Sequence, residues 1–322
     1  MAFYTREVPL AVITVVSACL SISGGFALLL TYYRVPKFRT SVTNLLVFLT
    51  IADIFTASGN LMGTVNYLQL DTDPTNSTDV TCVAQSFITT FSSLSSFAWT
   101  SIIAVHLYLL IRTQRNFERN LSLKYFYHFM GWIVPAIICL PILASGKLGR
   151  DNHGNHTGTG LWCWIKIDYS DGNIHSSDIL LMFVSGKFWE LLTYVLSFSI
   201  YMLLKIDTYI KRQRDQTYHW SDVDGADLRD GDERFCFMWL ILYLLRFWGT
   251  LSFFIEISNT KSCGLQRVDD ILKYFHGVGD SAQALGNFIL FCMLDKNIRQ
   301  KYRDKMRECW HRRHGYDEIS GP

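Results

Sequence analysis

The chain has 322 residues, of which 49% are hydrophobic, 15% aromatic and only 18% charged, with a formal net charge of +2. Soluble domains carry roughly 25% charged residues, so this composition argues against an ordinary soluble protein. The small net charge, with no basic stripe interleaved with aromatics, excludes a nucleic-acid reader.

A helix crossing the hydrocarbon core needs about 20 mostly apolar residues. Seven such runs succeed one another, at 10–33, 43–65, 84–111, 126–143, 180–206, 235–257 and 274–294. The first is not a cleaved signal peptide, whose apolar core spans only ~7–15 residues. It ends instead in Tyr32-Tyr33-Arg34, an aromatic and basic boundary suited to a membrane interface. The third and fifth are long enough to tilt or to project beyond the bilayer. Lys187 and Glu190 interrupt the fifth near its start. The expected fold is an all-α membrane protein, a seven-transmembrane-helix bundle. It divides into a short N-terminal segment (1–9), a membrane domain (10–294) and a tail (295–322).

Orientation is set by the basic residues. Of the 30 Lys and Arg, 21 fall in the connections 34–42, 112–125 and 205–234 and in the tail, while seven fall on the opposite side and Lys187 and Arg246 lie within helices. The N-terminus is therefore expected outside the cell and the tail in the cytosol. The sequons at Asn76 and Asn155 fall in loops assigned outside and are candidate glycosylation sites; a third, at Asn120, falls inside, where it cannot be used.

The cysteines fit the same map. Cys19, Cys139, Cys236 and Cys292 lie in helical runs and are expected to pack as small apolar residues. Cys82 stands at the outer mouth of the third run, and Cys163 lies in Trp162-Cys163-Trp164 of the second outer loop. A bond between them would pin that loop over the bundle on the oxidising face. Cys263 is then an odd outer cysteine. In the tail, Ile298, Tyr302, Met306, Cys309 and Trp310 recur every three or four residues among Lys and Arg. That is the pattern of an amphipathic helix lying in the inner leaflet against anionic membrane lipid, with Cys309 a weak candidate for palmitoylation. The third inner loop begins basic (Lys211, Arg212, Arg214) and turns acidic, as a solvated segment would.

Ionisable groups at bilayer depth are expensive and usually functional. Here they are Asp53, His106, Lys187, Glu190, Arg246 and Asp280, with Gln283 and Asn287 below Asp280. No lysine lies inside the last run, which removes a retinal protein. There is no metal-ligand cluster and no nucleophile with its base, so neither catalytic residues, a metal nor a cofactor is expected. The six prolines interrupt only the fourth run, and no internal repeat is apparent, unlike many transporters.

The residues also carry a resemblance. Leu45-Leu46-Val47-Phe48-Leu49-Thr50-Ile51-Ala52-Asp53 resembles the second helix of G-protein-coupled receptors. Gly131-Trp132-Ile133-Val134-Pro135 and Cys163-Trp164 resemble the secretin and adhesion receptors. Gly186-Lys187-Phe188-Trp189-Glu190, Leu245-Arg246, His276-Gly277, Gln283 and Asn287 are similar to the cyclic-AMP-receptor-like group. The resemblance implies a receptor at the plasma membrane, with a ciliary address compatible, whose partners are an extracellular ligand and a heterotrimeric G protein. The chain departs from rhodopsin-like receptors: no Asp-Arg-Tyr closes the third run, and the last three runs hold no proline. Without a cysteine-bonded ectodomain, the ligand must meet the bundle and its outer loops, which favours a small molecule.

Lys187, Glu190 and Asp280 are the candidate ligand-pocket residues. Asp53, Arg246, Gln283 and Asn287 form a candidate switch, in which Arg246, near the bilayer midplane, is expected to pair with a carboxylate from a neighbouring helix. Gly249 is the expected bend of the sixth helix. Ser92, Ser93, Ser95 and Ser96 are expected to serve close packing. On the inner side, Arg112, Lys205, Lys211, Arg212 and Arg234 would meet the G protein. A transporter or ion channel using the same buried charges is the rival reading, and a membrane scaffold the third.

Overall fold

The computed structural model describes residues 4–70, 79–113, 120–149, 161–166, 169–170, 173–215, 240–241, 243–255, 257–258, 263–294, 298–300, 303–304 and 307. Helices α1 (Tyr4–Arg34), α2 (Ser41–Leu70) and α3 (Asp79–Thr113) come first, with a 3₁₀ turn at Pro36–Phe38 between α1 and α2. α4 spans Leu121–Ala144 and is capped by Asn120, whose side-chain oxygen accepts from Leu123 N–H. α4 widens into a π-helical turn at Phe129–Ile133, just before Pro135. A wider turn eases the clash a proline makes with the carbonyl four residues back. α5 begins as Ser176–Met182, passes through a π turn at Phe183–Lys187 and continues as Phe188–Asp215. α6 is described over Tyr243–Ile255. α7 runs Cys263–Ser281, pauses at Ala282, and resumes as Gln283–Phe288 and a last π turn, Ile289–Met293.

α7 thus starts well before the apolar run at 274. Its first turns are amphipathic and escape a hydropathy reading. They are held by an Asp269–Lys273 ion pair at i,i+4 spacing (2.9 Å) and by the Ser252 hydroxyl of α6, which donates to Asp269.

Among the described residues five helices are long and apolar enough to cross a membrane, and 243–255 and 283–293 are shorter apolar helices. Their outward faces carry large exposed apolar side chains, such as Val12, Val16 and Leu20 on α1 and Leu192 and Val195 on α5. In water such surface would be a liability; against lipid it is the natural face. The chain is an all-α membrane protein. Among the described residues only two small ladders depart from this. β1 (Leu148–Gly149) pairs antiparallel with β2 (Trp164–Ile165), and β3 (Tyr169–Ser170) with β4 (Asn173–Ile174).

Small residues set the helix spacing, as they do where no hydrophobic drive separates helix from lipid. A Cβ on Gly279 of α7 would overlap the carbonyl oxygen of Leu245 in α6, and one on Gly131 of α4 would run into the Trp99 ring of α3. Toward the end of the bundle where α2, α4 and α6 begin, an apolar core gathers Leu28, Leu46, Trp99, Ile103, Leu204, Leu290 and Phe291. Trp99 is fully buried and stacks on Phe48 at 4.9 Å. Of the expected tail helix, only 298–300, 303–304 and 307 are described, and Ile298 packs into this core; Cys309 lies outside the described residues.

Candidate functional site

The opposite end of the bundle is built differently. Cys82, near the start of α3, is disulfide-bonded to Cys163, their Cα atoms 5.6 Å apart. The segment 161–166 is further fastened to α3 by two hydrogen bonds. Cys163 N–H donates to Gln85 Oε1 (2.9 Å), and the Ser86 hydroxyl donates to the Trp164 carbonyl (2.7 Å). This places Trp162 and Trp164 over a cavity bordered by α2, α3, α5, α6 and α7.

Charged groups line that cavity: Lys187 and Glu190 from α5, Arg246 from α6, and His276 and Asp280 from α7. The π turn Phe183–Lys187 matters here, because its extra residue rotates the remainder of α5, and Lys187 and Glu190 both end buried. Lys187 Nζ sits 2.9 Å from Glu190 Oε2 and 5.8 Å from the Phe253 ring centre. The other carboxylate oxygen, Glu190 Oε1, accepts from the Tyr194 hydroxyl (2.8 Å) and from the Thr250 hydroxyl of α6 (2.6 Å). A buried carboxylate must be paired and hydrogen-bonded to be tolerated, and Glu190 is. It joins α5 to α6.

Arg246 is 3% exposed. It makes no direct ion pair among the described residues, and the carboxylates expected as its partners, Asp53 and Asp280, feel its charge at longer range. Its Nη2 donates to the amide oxygen of Gln283 (2.8 Å), and its guanidinium lies 4.6 Å from the centre of the Phe97 ring of α3, a cation–π arrangement. The carboxylate is one step further on. Asp53 of α2 accepts from Ser96 of α3 (2.6 Å) and from Asn287 of α7 (2.8 Å), and the same Ser96 hydroxyl lies 3.4 Å from Gln283 Oε1. Arg246, Gln283, Ser96, Asp53 and Asn287 thus form one relay through α6, α7, α3 and α2. Ser96 is a member of it that sequence reasoning assigned to packing. Its neighbour Ser92 accepts from the Thr56 hydroxyl, and Ser93 lines the cavity.

Asp280 pairs with His276 within α7 (3.1 Å). The His276 ring packs edge-on to Trp162 (5.4 Å) and fills the space left by Gly249 of α6, where a Cβ would approach it to 2.5 Å. Gly249 therefore allows close α6–α7 contact, whatever bending it also permits. Three buried polar atoms of residues that line the cavity have no hydrogen-bond partner among the described residues: Thr90 Oγ1, Arg246 Nε and His276 Nδ1. Such orphans need an explanation, and an entering group that accepts from Arg246 Nε supplies one for the guanidinium. The free volume is about 80 Å³, small beside the ~300–1,000 Å³ of ligand cavities in general. Anything larger than a few atoms must spread the charged wall.

At the other end, Arg112 of α3 pairs with Asp207 of α5 (3.4 Å), both partly exposed, and Lys205 lies over the Tyr201 ring. Side chains of Lys211 and Arg212 lie outside the described residues, as do Arg234, Asn76 and Asn155.

Residues 4–175 match the family model of the slime mold cyclic AMP receptor. The chain is 30% identical to G-protein coupled receptor 157 of Homo sapiens over 297 residues, covering 90% of this chain and 82% of that protein. The Mus musculus counterpart is 29% identical over 298 residues, with 90% and 83% covered. Cyclic AMP receptor-like protein A of Dictyostelium discoideum is 31% identical over 153 residues, 47% of this chain and 35% of that protein. Relatives that are receptors, apolar spans and a pinned loop above a charged cavity agree, and the chain belongs to the slime mold cyclic AMP receptor family of G-protein-coupled receptors.

Proposed function

We propose that the chain is a seven-span plasma-membrane receptor that converts an extracellular small-molecule signal into activation of a heterotrimeric G protein. In this reading the segment 1–9 and the disulfide end face outward, 10–294 is the receptor domain, and 295–322 is a cytosolic tail. The distribution of Lys and Arg supports that orientation. Glycans at Asn76 and Asn155, and an acyl chain on Cys309, are consistent with it.

The observation that carries the proposal is the Arg246–Gln283 hydrogen bond beneath the cavity. It is the point where α6 joins the relay that ends on Asp53. A ligand acceptor that draws Arg246 toward itself competes with that bond and releases α6. The mechanism requires the ligand to bind the released arrangement more tightly than the resting one. Movement of α6 would then open the face carrying Arg112, Lys205, Lys211, Arg212 and Arg234 to the G protein.

The test needs no ligand. Basal nucleotide exchange is measured across a panel of G proteins in cells expressing the chain, Arg246→Gln, or a variant with the inner basic residues neutralised. Exchange above background, lost in the neutralised variant and altered several-fold in Arg246→Gln at equal surface expression, is the expected result. Basal exchange that Arg246→Gln leaves unchanged would sink the switch. A chain present at the surface that drives no exchange but supports ion or substrate flux dependent on Asp53 or Asp280 would favour a transporter.

A further inference from the structure

A second cavity lies at the far end of the bundle, remote from the charged one. It is a crevice of about 650 Å³ between the starts of α2 and α4, with Tyr32 of α1 at its side and His106 of α3 at its base. Its volume is that of a real ligand cavity.

Two helix faces make its walls. On α2 they are Ser41, Asn44, Leu45 and Phe48; on α4, Lys124 and His128. On α2 the polar Ser41 and Asn44 stand in the first turn and the apolar Phe48 lies deeper; on α4 Lys124 stands in the first turn and His128 one turn further in. The gradient along α2 is the one a lipid has, head to tail.

The base is fixed. Ser41 Oγ is 2.7 Å from His106 Nε2, and His106 Nδ1 is 3.1 Å from the Tyr127 hydroxyl, tying α2, α3 and α4 together. The His128 ring packs edge-on to Phe48 (4.7 Å) and to Trp99 (5.4 Å), which holds it as part of the wall. The Tyr32 hydroxyl donates to Asn44 Oδ1 (2.6 Å), which turns the Asn44 amide N–H₂ toward other acceptors. Lys124 is exposed and has no ion-pair partner among the described residues, and no Asp or Glu lines the crevice. Arg39 lies over the Tyr32 ring (5.8 Å). The mouth is therefore rich in donors and positive, beside an apolar wall.

We propose that this crevice is a binding site for one anionic phospholipid. Lys124, His128 and Asn44 take the phosphate, and an acyl chain lies along Leu45 and Phe48. A sterol offers one hydroxyl and no charge, so it leaves Lys124 and the amide unmatched. A zwitterionic lipid matches the phosphate but carries no net negative charge to offset Lys124. The site requires only that this end of the bundle sits at a headgroup layer, and it stands or falls separately from G-protein signalling.

Native mass spectrometry of the full chain, purified in detergent and exchanged against phosphatidylserine, phosphatidylcholine or cholesterol, tests it. One retained phosphatidylserine is expected, bound more tightly than phosphatidylcholine. Replacing Lys124 with Ala should weaken that retention about fivefold, the factor one Lys contributes to anionic-lipid binding. Asn44→Ala should weaken it as well, with a small fall in thermal melt from the lost Tyr32 hydrogen bond. A folded Lys124→Ala variant that retains phosphatidylserine as the wild type does would overturn the assignment. So would equal retention of the neutral lipid, or displacement of phosphatidylserine by cholesterol at equal concentration.

Discussion

The two ends of the bundle are stabilised by opposite means. Around Trp99 the interior is apolar: leucines and aromatics from α1, α2, α3, α5 and α7 pack there, with the crevice between α2 and α4 opening beside them. Beneath the disulfide the interior is polar, and Lys187, Glu190, Arg246, Asp280 and their partners leave a cavity among them. Close packing is intolerant of small shifts. A hydrogen-bonded network can exchange partners at little net change in free energy, provided each buried group finds another. Under the proposed function the polar end is where a ligand would rearrange helices, and the apolar end is the part that would hold. Substitutions at the first end should answer to volume, and those at the second to pairing.

The largest effect is expected where the ends meet, at the closest approach of α6 and α7. Gly279→Ala puts a methyl group into the Leu245 carbonyl. Overpacking costs about 1–3 kcal/mol when side chains can give way, and here backbone must move instead. We expect loss of most surface expression and a fall in thermal melt deeper than any side-chain truncation in the bundle produces. A wild-type melt would mean that α6 does not approach α7 this closely.

Trp99→Ala should destabilise by about 3–5 kcal/mol, the usual result of truncating a buried aromatic. Trp99→Phe should cost less, because it leaves a smaller cavity and the indole N–H has no hydrogen-bond partner among the described residues to lose. Denaturation of the purified chain reads both. Similar losses from the two would show that Trp99 contributes polarity, against the volume rule.

Glu190→Gln tests the other rule. The amide keeps an oxygen for Tyr194 and Thr250 but strips the Lys187 ammonium of its counter-ion. Breaking a buried pair from one side costs about 3–5 kcal/mol, and the low end applies because the cavity side admits water. Lys187→Met in the same background should restore most of the loss. A double-mutant cycle with no coupling would place the pair among weak surface bridges.

The same contrast decides how much could be read without coordinates. The helical runs were legible because apolar length is a one-dimensional property. The start of α7 was not, because its first turns satisfy themselves through Asp269, Lys273 and Ser252 and carry no apolar run. Which charges end up buried in the bundle was legible in part, from position along each run: Asp53, His106, Lys187, Glu190 and Arg246 are buried. Which of them meet was not, since that depends on rotation about each helix axis, and the π turn before Phe188 resets that rotation on α5. Arg246 accordingly meets Gln283 and Phe97, with the carboxylate of Asp53 beyond. Ser96 could not be singled out from Ser92, Ser93 and Ser95, because all four sit within two turns and only packing chooses among them. Gly279 carried no signal at all: a glycine's neighbour across an interface is not written in its own helix.

The smallest effect belongs to Gly146, and it separates conformational from steric cost. Gly146 stands just after α4 with φ +68°, and its N–H closes the helix on the Leu143 carbonyl (3.0 Å), a left-handed C-terminal cap. An added Cβ would meet nothing within 4 Å. Gly146→Ala therefore carries only the left-handed penalty, about 1–2 kcal/mol. Asn, which tolerates that region better, should lose less than Ala. At Gly279 the order is set by size alone, so Asn should be worse than Ala there. Opposite rankings of Ala and Asn at the two positions, read as thermal melts, would show that one glycine is kept for its backbone angle and the other for its missing side chain; the same ranking at both would mean that the α6–α7 contact yields as freely as an exposed turn.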